Sequence, residues 1–241
     1  MKLTFLGTRG YIEAVTDEHR MHTTTLVTYR GRCVRIDCGE DWLRRCGEVR
    51  QQAIFITHCH PDHAFGLREG APCPVYAPPE AVAEMAHWPI ADLRVIDYRE
   101  SVTLGGITME CFDVQHSTTC PAAGYRVSAG TVTVFYAPDL VYIRDREGAL
   151  QGCKVYIGDG ASIDRNFVRK HKDSGELIGH APVRTQLTWC RKLGVPRMIV
   201  THCGSQIVKG GAEAVSKIEQ YARERGVQVE VATDGQEVVL R

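Results

Sequence analysis

Between residues 56 and 63 the chain reads Ile-Thr-His-Cys-His-Pro-Asp-His, directly after the apolar run Ala53–Ile56. Three imidazoles and a carboxylate within six residues are costly to bury unless they are paired, and donors of this kind at this density suit divalent metal ions. The period of two along an extended chain puts His58 and His60 on one side of the backbone. Asp62 and His63 fall where the chain turns into a helix, so they can point to a second position. The fold must therefore bring a strand end and a helix start to one buried place, and the spacing serves two ions rather than one.

The flanking sequence supplies the elements for such a fold. Short runs rich in β-branched and aromatic residues predict strands over Lys2–Leu6, Thr24–Thr28, Cys33–Asp37, Ala53–Ile56, Val75–Tyr76, Arg94–Asp97, Ile107–Val114, Tyr125–Ser128 and Thr131–Tyr136. Helical patterns follow over His63–Glu69, Pro79–Ala86, Val183–Lys192 and Ala212–Arg225, with later strands at Arg197–Thr201, Val227–Val231 and Glu237–Leu240. No repeat, low-complexity tract or Pro/Gly/Ser linker interrupts them, so residues 1–241 are expected to form one α/β domain of two packed sheets with helices outside. Residues 161–179 carry Arg165, Arg169, Lys170, His171 and Lys172 with little apolar periodicity, and read either as a loop beside a site or as a solvated surface loop.

Composition narrows the partners. Lys+Arg and Asp+Glu both number 29, so no net charge draws the chain toward nucleic acid or anionic lipid. No stretch approaches the roughly 20 apolar residues of a spanning helix, and Met1–Gly7 reads as a strand, which makes the cytoplasm the expected compartment. Ten cysteines are scattered without a Cys-x-x-Cys pair and are expected to be reduced, packed thiols.

His-x-His-x-Asp-His after a strand resembles the metallo-β-lactamase-fold hydrolases, and further pieces match that family in order. His116 follows Phe112-Asp113-Val114-Gln115, Asp139 follows Phe135-Tyr136-Ala137-Pro138, and His202 follows Met198-Ile199-Val200-Thr201. Phe5-Leu6-Gly7-Thr8-Arg9-Gly10 and Ile36-Asp37-Cys38-Gly39-Glu40 also resemble the family, so the likeness spans the chain. It implies a four-layer αβ/βα sandwich. His58, His60, Asp62, His63, His116, Asp139 and His202 would hold two divalent ions, with Asp139 bridging them and Asp37 orienting a ligand imidazole from behind. Zinc suits this donor set, and manganese or iron is tolerated. A hydroxide between the ions would be the nucleophile. His60 at the second motif position favours hydrolysis over the redox chemistry found on the same fold.

Gly179-His180-Ala181-Pro182-Val183, before a predicted helix, resembles the phosphodiesterase branch, including the cyclic-phosphate phosphodiesterase of phosphonate breakdown and, more distantly, the tRNA 3′-processing nucleases. There the histidine faces the phosphate and can protonate the leaving alkoxide. The additional-zinc cysteine cluster of the first and the Gly/Pro-rich arm of the second have no counterpart in this chain. The expectation is a metal-dependent phosphodiesterase with His180 and Asp62 as catalytic groups and Arg165 and Arg184 as substrate contacts. A small anionic diester is the expected partner, nucleic acid and membrane are not, and a homodimer is allowed. The alternatives are a lactone, ester or thioester hydrolase on the same ions, and a non-catalytic metal-binding protein. Asp159, ending Tyr156-Ile157-Gly158, either approaches the site or closes a turn.

Overall fold

The computed structural model describes residues 1–241. In the first sheet β1 (Lys2–Gly7), β2 (Thr24–Tyr29) and β3 (Arg32–Ile36) run antiparallel, and β4 (Ile54–Phe55), β5 (Val75–Ala77) and β6 (Leu93–Val95) continue it in parallel. The second sheet contains β7 (Ser101–Leu104), β8 (Ile107–Gln115), β9 (Ala122–Ala129), β10 (Val132–Ala137), β11 (Tyr142–Ile143) and β12 (Val155–Asp159), followed beyond the hairpin of β13 (Arg169–Lys170) and β14 (Leu177–Ile178) by β15 (Arg197–Thr201) and β16 (Gln228–Val231). A last strand, Glu237–Val239, returns to the first sheet and pairs with β1.

Alternation along the strands sorts their side chains into three apolar layers. Leu3, Phe5, Val27 and Ile36 of the first sheet meet Met109, Tyr125, Val134, Tyr136 and Ile199 of the second between the sheets. Phe112, Phe135, Tyr156 and Met198 face outward and pack under helices α3 (Arg146–Leu150), α4 (Val183–Leu193) and α5 (Ser205–Arg223). On the other side Ile54, Ile56 and Val75 pack against Trp42, Leu67, Ala81 and Met85 from α1 (Pro61–Ala64), α2 (Pro79–Met85) and the short turns around them. The result is the expected αβ/βα sandwich. No helix is long and apolar enough to cross a membrane.

Parallel pairing decides where the chemistry falls. β10, β12 and β15 lie side by side in the same direction, with Ala137 opposite Gly158 and Asp159 opposite Thr201. Their carboxyl ends therefore release Asp139, Asp159 and His202 at one edge, the usual ligand position of parallel strands. Asp234 ties the N-terminal loops to this edge: its carboxylate accepts from Thr8 Oγ1 at 2.7 Å and from the Arg20 and Met21 amides at 2.8 and 2.7 Å.

Four elements differ from the sequence reading. The helix expected over His63–Glu69 is four residues of α1 and a 3₁₀ turn at Phe65–Leu67, because Gly66 packs where a Cβ would lie 2.6 Å from the Gly39 carbonyl. Helix α5 begins at Ser205 rather than Ala212, since Ile207 and Val208 are buried ahead of a break at Gly211, whose φ is 51°. Residues 161–179 contain the β13–β14 hairpin, and α3 is an additional helix that short apolar patterning did not reveal.

One buried amide joins α4 to the site edge. Gln186 is fully buried, and its Oε1 accepts from Tyr156 Oη at 2.8 Å and the Asp159 amide at 3.0 Å while its Nε2 donates to the Asp159 and Ala181 carbonyls at 2.7 Å each. Gly158 makes room for it, as a Cβ there would lie 2.4 Å from Gln186 Oε1. Leucine of similar size would strand four buried partners, so Gln186→Leu is expected to cost about 2–4 kcal/mol in urea unfolding.

Candidate metal centre

The motif residues leave β4 at its carboxyl end, where Thr57–His60 run extended and Pro61 starts α1. Asp37, at the end of β3, is fully buried behind them with φ of 63°. Its Oδ1 accepts from the Thr57 amide at 2.8 Å, and its Oδ2 lies 2.9 Å from His63 Nδ1. A carboxylate only accepts, so His63 donates from Nδ1 to Asp37 and turns Nε2 inward. Thr57 Oγ1, at 3.0 Å from Asp37 and 3.0 Å from His58 Nδ1, passes the same constraint to His58.

His116, beyond β8, donates from Nδ1 to the Gly179 carbonyl at 3.2 Å. Asp139 Oδ1 lies 2.8 Å from that nitrogen but off the line of its N–H, so the carboxylate oxygen keeps no hydrogen bond. His202, beyond β15 with φ of 53°, turns Nδ1 toward Asp159 Oδ1 at 3.4 Å. Left-handed backbone at non-glycine residues costs on the order of 1–3 kcal/mol and gathers at functional sites. Gly10 lets the N-terminal loop cross this ring, since a Cβ there would lie 3.2 Å from His202 Cε1.

His58 and His116 thus turn Nε2 to the interior as an acceptor, whereas His63 and His202 set Nε2 against the Asp62 carboxylate, and the inward nitrogens form two groups. His58 Nε2 lies 3.0 Å from His60 Nδ1, and His116 Nε2 lies 3.3 Å from the same atom. Asp62 Oδ2 lies 3.1 Å from His202 Nε2 and 3.2 Å from His63 Nε2. Asp139 stands between the groups, its Oδ2 at 3.6 Å from His58 Nε2 and 3.7 Å from His202 Nε2. Ligands at 2.0–2.1 Å on a tetrahedral ion are separated by about 3.3 Å, which these spacings approach.

Charge follows the same arrangement. Burial and the neighbouring imidazoles hold His58 well below the usual histidine range, and burial followed by His116 brings His60 down to about 4, so both are neutral donors. Burial raises Asp62, but His63 and His202 override it and keep the carboxylate ionised. His63 Nε2 and Asp139 Oδ1 are buried without a hydrogen-bond partner. Burial lowers His63 and His202 too, but the carboxylates around them prevail, holding His63 well above the usual histidine range and lifting His202 to about 9; divalent ions would take the place of these protons, and the set of imidazoles and carboxylates fits them.

His180 is the half-open member. Its side chain is 25% exposed, and Nδ1 lies 2.9 Å from both Asp139 Oδ1 and Asp159 Oδ2. Burial lowers its pKa, but the two carboxylates prevail and lift it to about 11. Asp159, fully buried, approaches the site and also accepts from the Leu140 and Ala161 amides at 3.2 and 2.7 Å. A cavity of about 600 Å³ opens above, with Tyr11, Ile12, Arg165, Phe167 and Gln206 on its walls. Arg184 does not line it; the side chain is exposed on α4, its guanidinium 5.7 Å over the Tyr221 ring, so it is not placed as a substrate contact. Thr57 and Gln186 were missed by sequence reading because single polar residues in apolar strands and helices carry no local signal.

A layered sandwich with a buried His/Asp centre at its strand ends defines a metal-dependent hydrolase. The sequence model of the beta-lactamase superfamily domain matches residues 32–203, and the chain belongs to that family, the metallo-β-lactamase superfamily. It is 29% identical to a Ribonuclease Z from Methanopyrus kandleri over 99% of this chain and 98% of that protein. The alignment runs over 288 positions against 241 residues here, so that relative carries segments this chain lacks. Among solved structures, a metallo-beta-lactamase fold protein from Bacillus subtilis superposes with a TM-score of 0.75 at 17% identity, covering 98% of both chains. A diphosphatase of the PhnP family gives 0.72 at 21% identity, covering 100% of this chain and 98% of that one.

Removing the carboxylate behind His63 frees that ring to rotate. Asp37→Ala is expected to weaken divalent-ion retention about 10–100-fold in competition with a chromophoric chelator.

Proposed function

We propose that the chain is a phosphodiesterase working with two divalent ions, one held by His58, His60 and His116, the other by Asp62, His63 and His202, with Asp139 shared. Zinc is the ion the imidazole-rich set suits best. Bound there, such ions polarise a phosphoryl oxygen and acidify a water. The protein's own part is to fix the nitrogens through Asp37, Thr57, Gly179 and Asp159, so that little reorganisation is needed when substrate arrives.

The observation that carries the reading is the placement of His180. It is an imidazole held protonated by two carboxylates yet open to the cavity, and a general acid for a poor alkoxide leaving group needs both properties. Asp62 acts as an ion ligand and orients His202, while Arg165 at the cavity wall is placed to meet the diester's charge. The ribonuclease relative supports a phosphodiester, and the PhnP-family diphosphatase supports a phosphoryl substrate more widely. Zero net charge favours a small anionic diester, whereas the ribonuclease relative favours RNA; both belong to the proposed class.

Cleavage of bis-p-nitrophenyl phosphate by the zinc- or manganese-loaded protein, measured beside lactone, ester and thioester panels, tests the class. Brisk lactone cleavage with no diester cleavage would overturn it, and no turnover on any panel would favour a binding role. His180→Ala is expected to lower kcat about 100-fold or more while two ions per chain remain in elemental analysis. A fall in ion content would instead make His180 a ligand.

A further inference from the structure

Beside the main cavity lies a second one of about 500 Å³, and the two share His60, His116, His180 and the exposed ring of Phe167. Their remaining walls differ in kind. The larger contains Asp62, Asp139 and the apolar side chains Tyr11 and Ile12, and Tyr11 is 63% exposed. The smaller contains Ser117, Asn166 and Arg169 and no carboxylate at all. Arg169 is exposed and makes no ion pair with any acidic residue, although nearby Arg144 is paired twice, with Asp113 at 2.7 Å and Glu176 at 3.0 Å. The Ser117 hydroxyl on this wall is already engaged with Thr119, at 3.0 Å from its Oγ1 and accepting from its amide at 3.3 Å, while Asn166, whose Oδ1 accepts from the Val168 amide at 3.0 Å, keeps its NH₂ free to donate. A donor-rich hollow with an unmatched guanidinium and no acid is an anion site.

The partition is fixed in place by the backbone. Gly179, with φ of 109°, passes so close to Phe167 that a Cβ would lie 2.1 Å from the Phe167 carbonyl, and its amide donates to the His116 carbonyl at 2.9 Å. At the other end of the segment, Ser162 Oγ donates to the Arg165 carbonyl at 2.7 Å, and the Ile163 amide donates to Gln206 Oε1 at 3.1 Å. Phe167 is therefore anchored on both sides and divides two cavities that open over the same imidazoles.

From this we infer that the substrate is a diester with two unlike arms: a planar ring lies against Tyr11 and Phe167 in the larger cavity, and an arm ending in a second anionic group reaches Arg169 in the smaller. The inference rests on the phosphodiesterase reading and names the substrate class it takes. One negative charge, that of the scissile group, belongs at the ions and Arg165; Arg169 lies in the other cavity and matches a charge the scissile group does not supply. Aromatic walls favour a flat arm because ring stacking adds to the apolar area buried.

Two probes separate the parts, p-nitrophenyl ethyl phosphate and p-nitrophenyl 2-carboxyethyl phosphate, assayed by nitrophenolate release from the ion-loaded protein. The carboxylate-bearing diester is expected to have a kcat/KM about tenfold higher, the size of one charge-assisted contact. That preference should fall to near unity in Arg169→Ala, reverse in Arg169→Glu, and shrink with added salt. Phe167→Ala should raise KM for both probes about fivefold or more, with Phe167→Tyr restoring it. Both positions are exposed, so unchanged melting temperatures will show that the variants fold. Equal kcat/KM for the two probes in the wild type, or a preference untouched by Arg169 substitution, overturns the anionic arm, and unchanged KM in Phe167→Ala overturns the planar arm. If the wild type cleaves neither probe, the phosphodiesterase reading itself fails.

Discussion

Asp139 puts one carboxylate between two groups of buried imidazole nitrogens, its Oδ2 facing both and its Oδ1 facing His116 and His180. Buried imidazoles lose their charge unless a carboxylate faces them, and a buried carboxylate is expensive without a partner, so the members of the cluster depend on one another. Much else in the fold keeps it whole. Parallel pairing of β10, β12 and β15 delivers three of the donors, and β4 brings the motif from the opposite sheet. Each ring is oriented by an acceptor on its far side: Asp37 for His63, the Gly179 carbonyl for His116 and Asp159 for His202.

The positions that the chain cannot vary freely follow from this demand. Asp37 and His202 accept left-handed backbone that non-glycine residues avoid, and each is the first residue past a strand end that has to turn a side chain toward the cluster. Gly10, Gly66 and Gly158 lie where neighbouring atoms leave no room for a Cβ. Strain and close approach are concentrated within the same few ångströms as the donors, and the three apolar layers around them bear the cost.

Legibility in the sequence tracked the range of the interaction. The donors of the His-x-His-x-Asp-His motif stood out because they are dense and local, and the strands around them because alternation is also local. His116, Asp139 and His202 could be placed only through their order and the strands before them, since each stands alone in its segment. The residues around Asp159 suit a site and a turn equally, because the pairing that decides between them, β12 beside β15, joins residues more than 40 apart. The direction of Arg184 is hidden from the sequence for a related reason: the helix phase that turns it toward Tyr221 depends on how α4 packs against α5. Gln186 satisfies four partners from two other segments, β12 and the loop at Ala181, an arrangement that no short window of sequence contains.

The bond between Thr8 and Asp234 has a consequence for the life of the polypeptide. The loop that carries Gly10 across His202 is held by a carboxylate near residue 234 and by a strand that ends at Val239. Earlier segments hold the same loop through Arg9 on Asp41 at 3.1 Å and the Gly10 amide on the Cys203 carbonyl at 3.1 Å, and during synthesis the Asp234 tie follows after all the donors from His58 to His202 have been made. A chain cut before Asp234 would keep every one of the donors and lose the carboxylate that holds Thr8, Arg20 and Met21.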